Sequence, residues 1–98
     1  MNFMDKMNLL NNIKEKKKDF EKIVKMNIES LAVNRLFFSD NETVPTIYLV
    51  VNDNAENIDI AVEKELMNVI DNVVFDVVSS DYYRTNISNT GQTIWEKG

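Results

Sequence analysis

Leu36–Val51, LFFSDNETVPTIYLVV, decides the fold of this chain. Two apolar runs rich in β-branched and aromatic residues flank a polar turn, and Val73–Asp81, VVFDVVSSD, adds a third run one helix length later. Such runs fit a pleated, half-buried surface and read as strands. The pattern predicts strands over Val33–Ser39 and Thr46–Val51, joined by a turn at Asp40–Val44. Pro45 has no N–H to give to a ladder, so it suits the first residue of the second strand or an edge. A connection this short suits an antiparallel pair, whereas strand, helix, strand suits a right-handed crossover between parallel neighbours.

On the N-terminal side, Phe3, Met7, Leu10, Ile13, Phe20, Val24, Ile28 and Leu31 recur at steps of three and four, with one gap near Lys17. That spacing predicts an amphipathic helix from about 4 to 30, bent near Asn11–Asn12. Its length suggests that part of it extends from the core or packs on a second copy. On the other side, Asn52–Asn57 is a polar loop, with Asn57 as an N-cap and Asp59 in the first turn of the next helix. Ile58, Val62, Leu66, Val69 and Ile70 give that helix a buried face up to about Asn72. Val73–Val78 follows as a third strand, apolar enough to be central. Ser80 caps a short helix over Asp81–Asn89, Gly91 ends it, and Gln92–Trp95 closes the chain as an edge strand.

The expected fold is therefore α/β (α+β), a two-layer sandwich in which helices cover one face of a three- to four-stranded mixed sheet. The order is α-β-β-α-β-α. One domain spans 1–98, with the long helix at about 4–30 and an α/β core at about 33–98. On the uncovered face, Phe37, Tyr48 and Val50 would form an apolar patch suited to a partner.

Composition narrows the chemistry. The chain has 98 residues, 44% hydrophobic and 28% charged, with two glycines and one proline, which describes a folded domain built of regular elements. Cysteine and histidine are absent. That removes disulfides, thiolate chemistry, most zinc sites and a histidine general base, leaving carboxylates with a divalent cation, lysine, or an otherwise activated hydroxyl. No window approaches the roughly 18 apolar residues of a membrane span, and the lysine-bearing start lacks an export core. A soluble cytoplasmic protein that does not meet the membrane is expected.

Charge is divided unevenly. Residues 1–26 hold seven lysines against Asp5, Glu15, Asp19 and Glu21, a net of +3. Residues 27–98 hold Arg35, Lys64, Arg84 and Lys97 against twelve acids, a net of −8, giving the chain its −5. Duplex binding needs clustered cations to displace counterions, so direct nucleic-acid contact is not expected. Lys14–Lys18 could touch phosphate, but the interleaved Glu15, Asp19 and Glu21 make a solvated helix face the simpler reading.

The same stretches resemble the minimal nucleotidyltransferases of the DNA polymerase beta superfamily. There, a helix precedes a strand ending in Gly-Ser, a strand carrying Asp-x-Asp, a helix, and a strand with a third Asp. RLFFSDNETVPTIYLVV (Arg35–Val51) looks like the Gly-Ser and Asp-x-Asp region, VVFDVVSSD like the third-acid strand, and NISNTGQTIWEKG (Asn86–Gly98) is similar to the short helix and closing segment. The resemblance runs from about residue 14 onward, on pattern and spacing more than identities, and implies nucleotide and magnesium chemistry. The departures matter. Phe38 stands where the glycine would be, with only Ser39 of that pair retained. Thr46 and Tyr48 occupy the positions of two metal-binding acids, and the connection before them is short. Asp76 alone matches a carboxylate position. Two-metal phosphoryl transfer needs several carboxylates, and hydroxyls hold magnesium poorly. The resemblance thus implies a catalytically inactive descendant with no cofactor.

Other candidates have plainer readings beside them. Asp76 is either a remnant metal ligand or a strand acid paired with a cation, the second being commoner. Asp40 and Glu42 suit a solvated turn. Asn52-Asp53-Asn54 lacks the remaining ligands of a calcium loop. Asn41-Glu42-Thr43 and Asn86-Ile87-Ser88 are glycosylation tripeptides that matter only after export. Ser39, Ser79 and Ser80 have no base beside them in sequence. The one positive interaction signal is acidic: Asp53, Glu56, Asp59 and Glu63 fall at steps of three, three and four. With Asp40 and Glu42 they would imitate a row of phosphates and dock in a basic groove, the alternative being a solvated face balanced by Lys64. The expected function is a non-enzymatic module that binds a protein with a basic surface. It would act like small phage or mobile-element inhibitors of restriction or CRISPR nucleases. A nucleotidyltransferase-related enzyme or antitoxin subunit is the alternative, and a homodimer through the leading helix is a further expectation.

Overall fold

The structure is a computed structural model that describes residues 3–26, 33–39, 44–52, 60–70 and 73–97, without the side chains of 3, 25, 26 and 60–63. Its elements are α1 (Phe3–Glu15), α2 (Lys17–Met26), β1 (Val33–Ser39), β2 (Thr46–Val51), α3 (Ile60–Val69) and β3 (Val74–Ser79). A helical turn α4 (Ser80–Tyr82), a π-helical segment (Tyr83–Ile87) and β4 (Gly91–Glu96) complete them. The mixed α+β architecture and its order are those expected from the sequence. The Asp40–Thr43 turn residues, the loop from Asp53 and the Asn57 cap lie outside the described residues.

The four strands run in the order β3-β2-β1-β4. β1 is antiparallel to β2 and to β4, and β2 is parallel to β3. The short β1–β2 connection and the helical β2–β3 connection thus have the directions their lengths dictate. The Pro45 carbonyl accepts from the Val74 N–H at 2.9 Å, so proline holds the start of the parallel pair with the one backbone group it has.

β3 is not central, as its apolar sequence suggested, but an edge. The middle positions belong to β1 and β2, whose residues are almost all buried, while β3 alternates and leaves Val74 46% exposed. Continuous apolar character does not separate a central strand from an edge strand with one covered face, because strand order is set by the connections.

One face of the sheet carries the main core. Leu36 and Phe38 of β1, Ile47, Leu49 and Val51 of β2, and Ile94 and Trp95 of β4 pack with Ile13, Phe20, Val24 and Leu66 of the helices and with Ile70 just after α3. Two irregularities make this possible. The β1–β4 register shifts between Leu36 and Phe37, so both Ile94 and Trp95 enter the core although strict alternation would turn one outward. The β1–β2 register shifts around Asn34 and does the same for Val33 and Leu36.

The leading helix breaks at Lys16, not at Asn11–Asn12. Its N–H reaches the carbonyls of Asn12 (3.2 Å) and Ile13 (3.1 Å), and its carbonyl accepts from Asp19 (3.0 Å) and Phe20 (3.1 Å). α1 and α2 therefore meet at a one-residue irregularity within Lys16–Lys18, where no apolar residue anchors the helix between Ile13 and Phe20. Met4 and Met7 of α1 remain exposed.

Candidate functional site

The second sheet face holds the positions singled out by resemblance. Register places Ser39 beside Thr46, Phe37 beside Tyr48, and Tyr48 beside Asp76, so Ser39, Thr46, Tyr48 and Asp76 share one face across β1, β2 and β3. Phe38 points to the opposite face and into the main core.

This face is covered at Phe37 and Tyr48, while Val74 and Asp76 of β3 stay exposed. Leaving the β3 edge, the chain crosses it through α4 and the π-helical segment before forming β4 at the other edge. The i→i+5 bond from the Ser88 N–H to the Tyr83 carbonyl (2.9 Å) marks the π geometry. Ile87, 5% exposed, packs with Phe37 and Tyr48, and Val78 and Tyr83 lie against them. The Tyr83 ring meets Phe37 edge-on, centroids 5.1 Å apart at 71°, and the Arg35 guanidinium lies 5.1 Å from its centroid. The patch expected at Phe37, Tyr48 and Val50 is therefore no free surface. Those residues are 2%, 7% and 1% exposed, and the segment after β3 folds back over Phe37 and Tyr48.

The Ser39 and Thr46 hydroxyls on this face are committed within the fold. Thr46 Oγ1 donates to the Val44 carbonyl at 2.9 Å. Thr90 Oγ1 donates to the Ile87 carbonyl at 2.7 Å, so in the 2.8 Å contact between Ser39 and Thr90 the Ser39 hydroxyl is the donor. Arg35 bonds Glu96 Oε1 at 2.8 Å and Thr93 Oγ1 at 2.5 Å, tying β1 to β4. Asn34 Nδ2 donates to Ser80 Oγ (3.0 Å) and Asn52 Oδ1 (3.2 Å), while Ser80 Oγ donates to the Val51 carbonyl (3.0 Å).

The helix after β3 starts one residue earlier than expected. Ser79, rather than Ser80, is the N-cap, accepting from the Tyr82 N–H, and Ser80 is drawn into the sheet-end network. Gly91 does not end a helix but begins β4 against β1.

Asp76 is exposed, and its Oδ1 accepts from the Val77 N–H at 2.9 Å. Among the described residues, no group of three or more acids, histidines or cysteines could hold a metal ion, and no helix is long and apolar enough to cross a membrane. Of the acidic stripe, Asp53, Glu56 and Asp59 lie outside the described residues, as do Asp40 and Glu42. Glu63 lies in α3, but its side chain is outside them. Beyond it, the described part of α3 turns Lys64, Glu65, Met67 and Asn68 to solvent and buries Leu66.

Sequence reading missed the Arg35–Tyr83–Glu96 cluster. Its signal was weak: Arg35 is one of only two arginines in the chain, and a lone arginine within an apolar strand signals a planar partner near the sheet. The chain matches no family model, no curated protein and no solved structure.

Proposed function

We propose that this chain is a non-enzymatic protein-binding module whose acidic surface occupies the basic nucleic-acid groove of another protein. It would serve as an inhibitor of the anti-restriction or anti-CRISPR type, on a degenerate nucleotidyltransferase-like fold. The observation that carries this reading is that the two positions where the resemblance implies metal-binding acids hold Thr46 and Tyr48, both buried, Tyr48 beneath Ile87 and Thr46 with its hydroxyl on the Val44 carbonyl. Asp76 is the one carboxylate at the three positions, too few ligands for a pair of cations.

Electrostatics support the kind of partner. Both arginines of residues 27–98 sit on carboxylates, Arg35 on Glu96 and Arg84 on Asp81. Lys64 and Lys97 are the remaining cations of that half, against ten further acids. Such a field attracts a basic surface and repels nucleic acid.

Capture from a host lysate with mass-spectrometric identification names the partner, and calorimetry then tests the mode of binding. Affinity should fall steeply with salt, nucleic acid should compete, and joint reversal of Asp53, Glu56, Asp59 and Glu63 to Lys should weaken binding at least about tenfold. Binding that survives this reversal, or is indifferent to nucleic acid, sinks the proposal. Heat from ATP with Mg²⁺ that vanishes in Asp76→Ala would favour the nucleotidyltransferase alternative instead.

A further inference from the structure

We infer that the outer edge of β3 is a latent docking surface for a second copy of this chain, kept closed by Asp76. Three observations converge on that residue. First, β3 ends the sheet, and among the described residues its ladder partner is β2. Second, Val73–Ser79 is VVFDVVS, five of whose seven residues are valine or phenylalanine, without proline or glycine, and Val74 is 46% exposed. An edge of this composition is a template for another strand, and folded proteins blunt such edges with a charge. The one charge in the run is Asp76, exposed and near the middle of the strand. Third, Asp76 Oδ1 accepts from the Val77 N–H, so the carboxylate occupies a mid-strand backbone donor that an added strand would need.

The occupant follows from the near-symmetry of the run. A second β3 added antiparallel, with both sheets keeping their faces aligned, pairs residues of like parity. Centred on Asp76, this register sets Val74 opposite Val78 and Phe75 opposite Val77, a favourable apolar set. It also sets Asp76 against its own copy, with Cβ atoms about 5 Å apart, where like charges destabilise the pair. Centred on Val77, it leaves each Asp76 facing a valine and diagonal to the other carboxylate at about 7–8 Å. The Asp76-centred register is self-complementary apart from Asp76, whereas the Val77-centred one also sets Phe75 opposite Ser79. The side chain thus acts as a positioning charge that keeps the sheet at four strands.

Sedimentation velocity over a concentration series tests this on the full chain. Asp76→Val should raise the mass to about twice that of the parent chain or more, because it completes the run and frees the Val77 donor. Asp76→Asn keeps an acceptor for that donor but removes the charge, and should associate more weakly. Asp76→Lys restores like-charge repulsion and should keep the parent mass. Adding Val74→Lys to Asp76→Val should return the mass to that of the parent. The inference fails if Asp76→Val, folded by circular dichroism, keeps the parent mass throughout. It also fails if Asp76→Lys associates as much as Asp76→Val, or if Val74→Lys does not reverse association. Should Asp76→Val not fold, Asp76→Asn decides by the same criterion.

Discussion

A Cβ added at Gly91 would overlap the Phe38 carbonyl oxygen and lie 2.9 Å from its carbonyl carbon and 3.0 Å from Ser39 Cα. The obstacle is the backbone of β1, which cannot swing aside as a side-chain tip can, and Gly91 pairs with Ser39 at the start of β4. Gly91→Ala should therefore part the two strands locally and cost about 3 kcal/mol, read as a lower urea midpoint with an unchanged slope. At the same end of the sheet, Ser39 is 1% exposed and its hydroxyl reaches Thr90, so it ties β1 to the turn before β4. The serine was visible in the sequence, but its partner lies fifty-one positions away and no local pattern announces it.

Among the elements, the leading helix separates period from packing. Steps of three and four place Ile13, Phe20 and Val24 on the core, and all three are fully buried. The same spacing would include Met7, which is 41% exposed, since helix periodicity says which residues share a stripe and not how far the underlying sheet extends. Ile13→Ala should accordingly cost about 2–5 kcal/mol in chemical unfolding, whereas Met7→Ser should stay within about 0.5 kcal/mol. If the two losses were equal, α1 would not be seated as described. The segment after β3 shows the opposite case. Ser79 and Ser80 announce a helix start, but the π geometry that turns Tyr83 and Ile87 onto Phe37 and Tyr48 is a response to the sheet face beneath it.

For the whole molecule, the uneven charge and the exposed start of α1 bear on assembly. Truncation after residue 12 retains Ile13 and, among the described side chains, removes the half-buried Leu9 and Leu10 from the edge of the main core. It should cost about 2 kcal/mol or less while leaving the fold intact by circular dichroism. A homodimer through this helix is a proposal, and light scattering of the truncated chain checks it: the mass should fall to that of one copy. This readout is independent of the β3 edge, where substitution of Asp76 should raise the mass.

The sequence by itself determined the kinds of element and their rough order, the antiparallel β1–β2 and parallel β2–β3 directions, and the lack of thiol and imidazole groups. These follow from short-range causes: side-chain period, connection length and the absence of histidine and cysteine. Only the tertiary structure decided that β3 is an edge, that Phe37 and Tyr48 are roofed by Tyr83 and Ile87, that two register shifts turn Val33 and Ile94 into the core, and that Arg35 meets Tyr83 and Glu96. Each of these depends on contacts between residues far apart in the chain, where the gain comes from excluding water jointly from surfaces that no single segment can close.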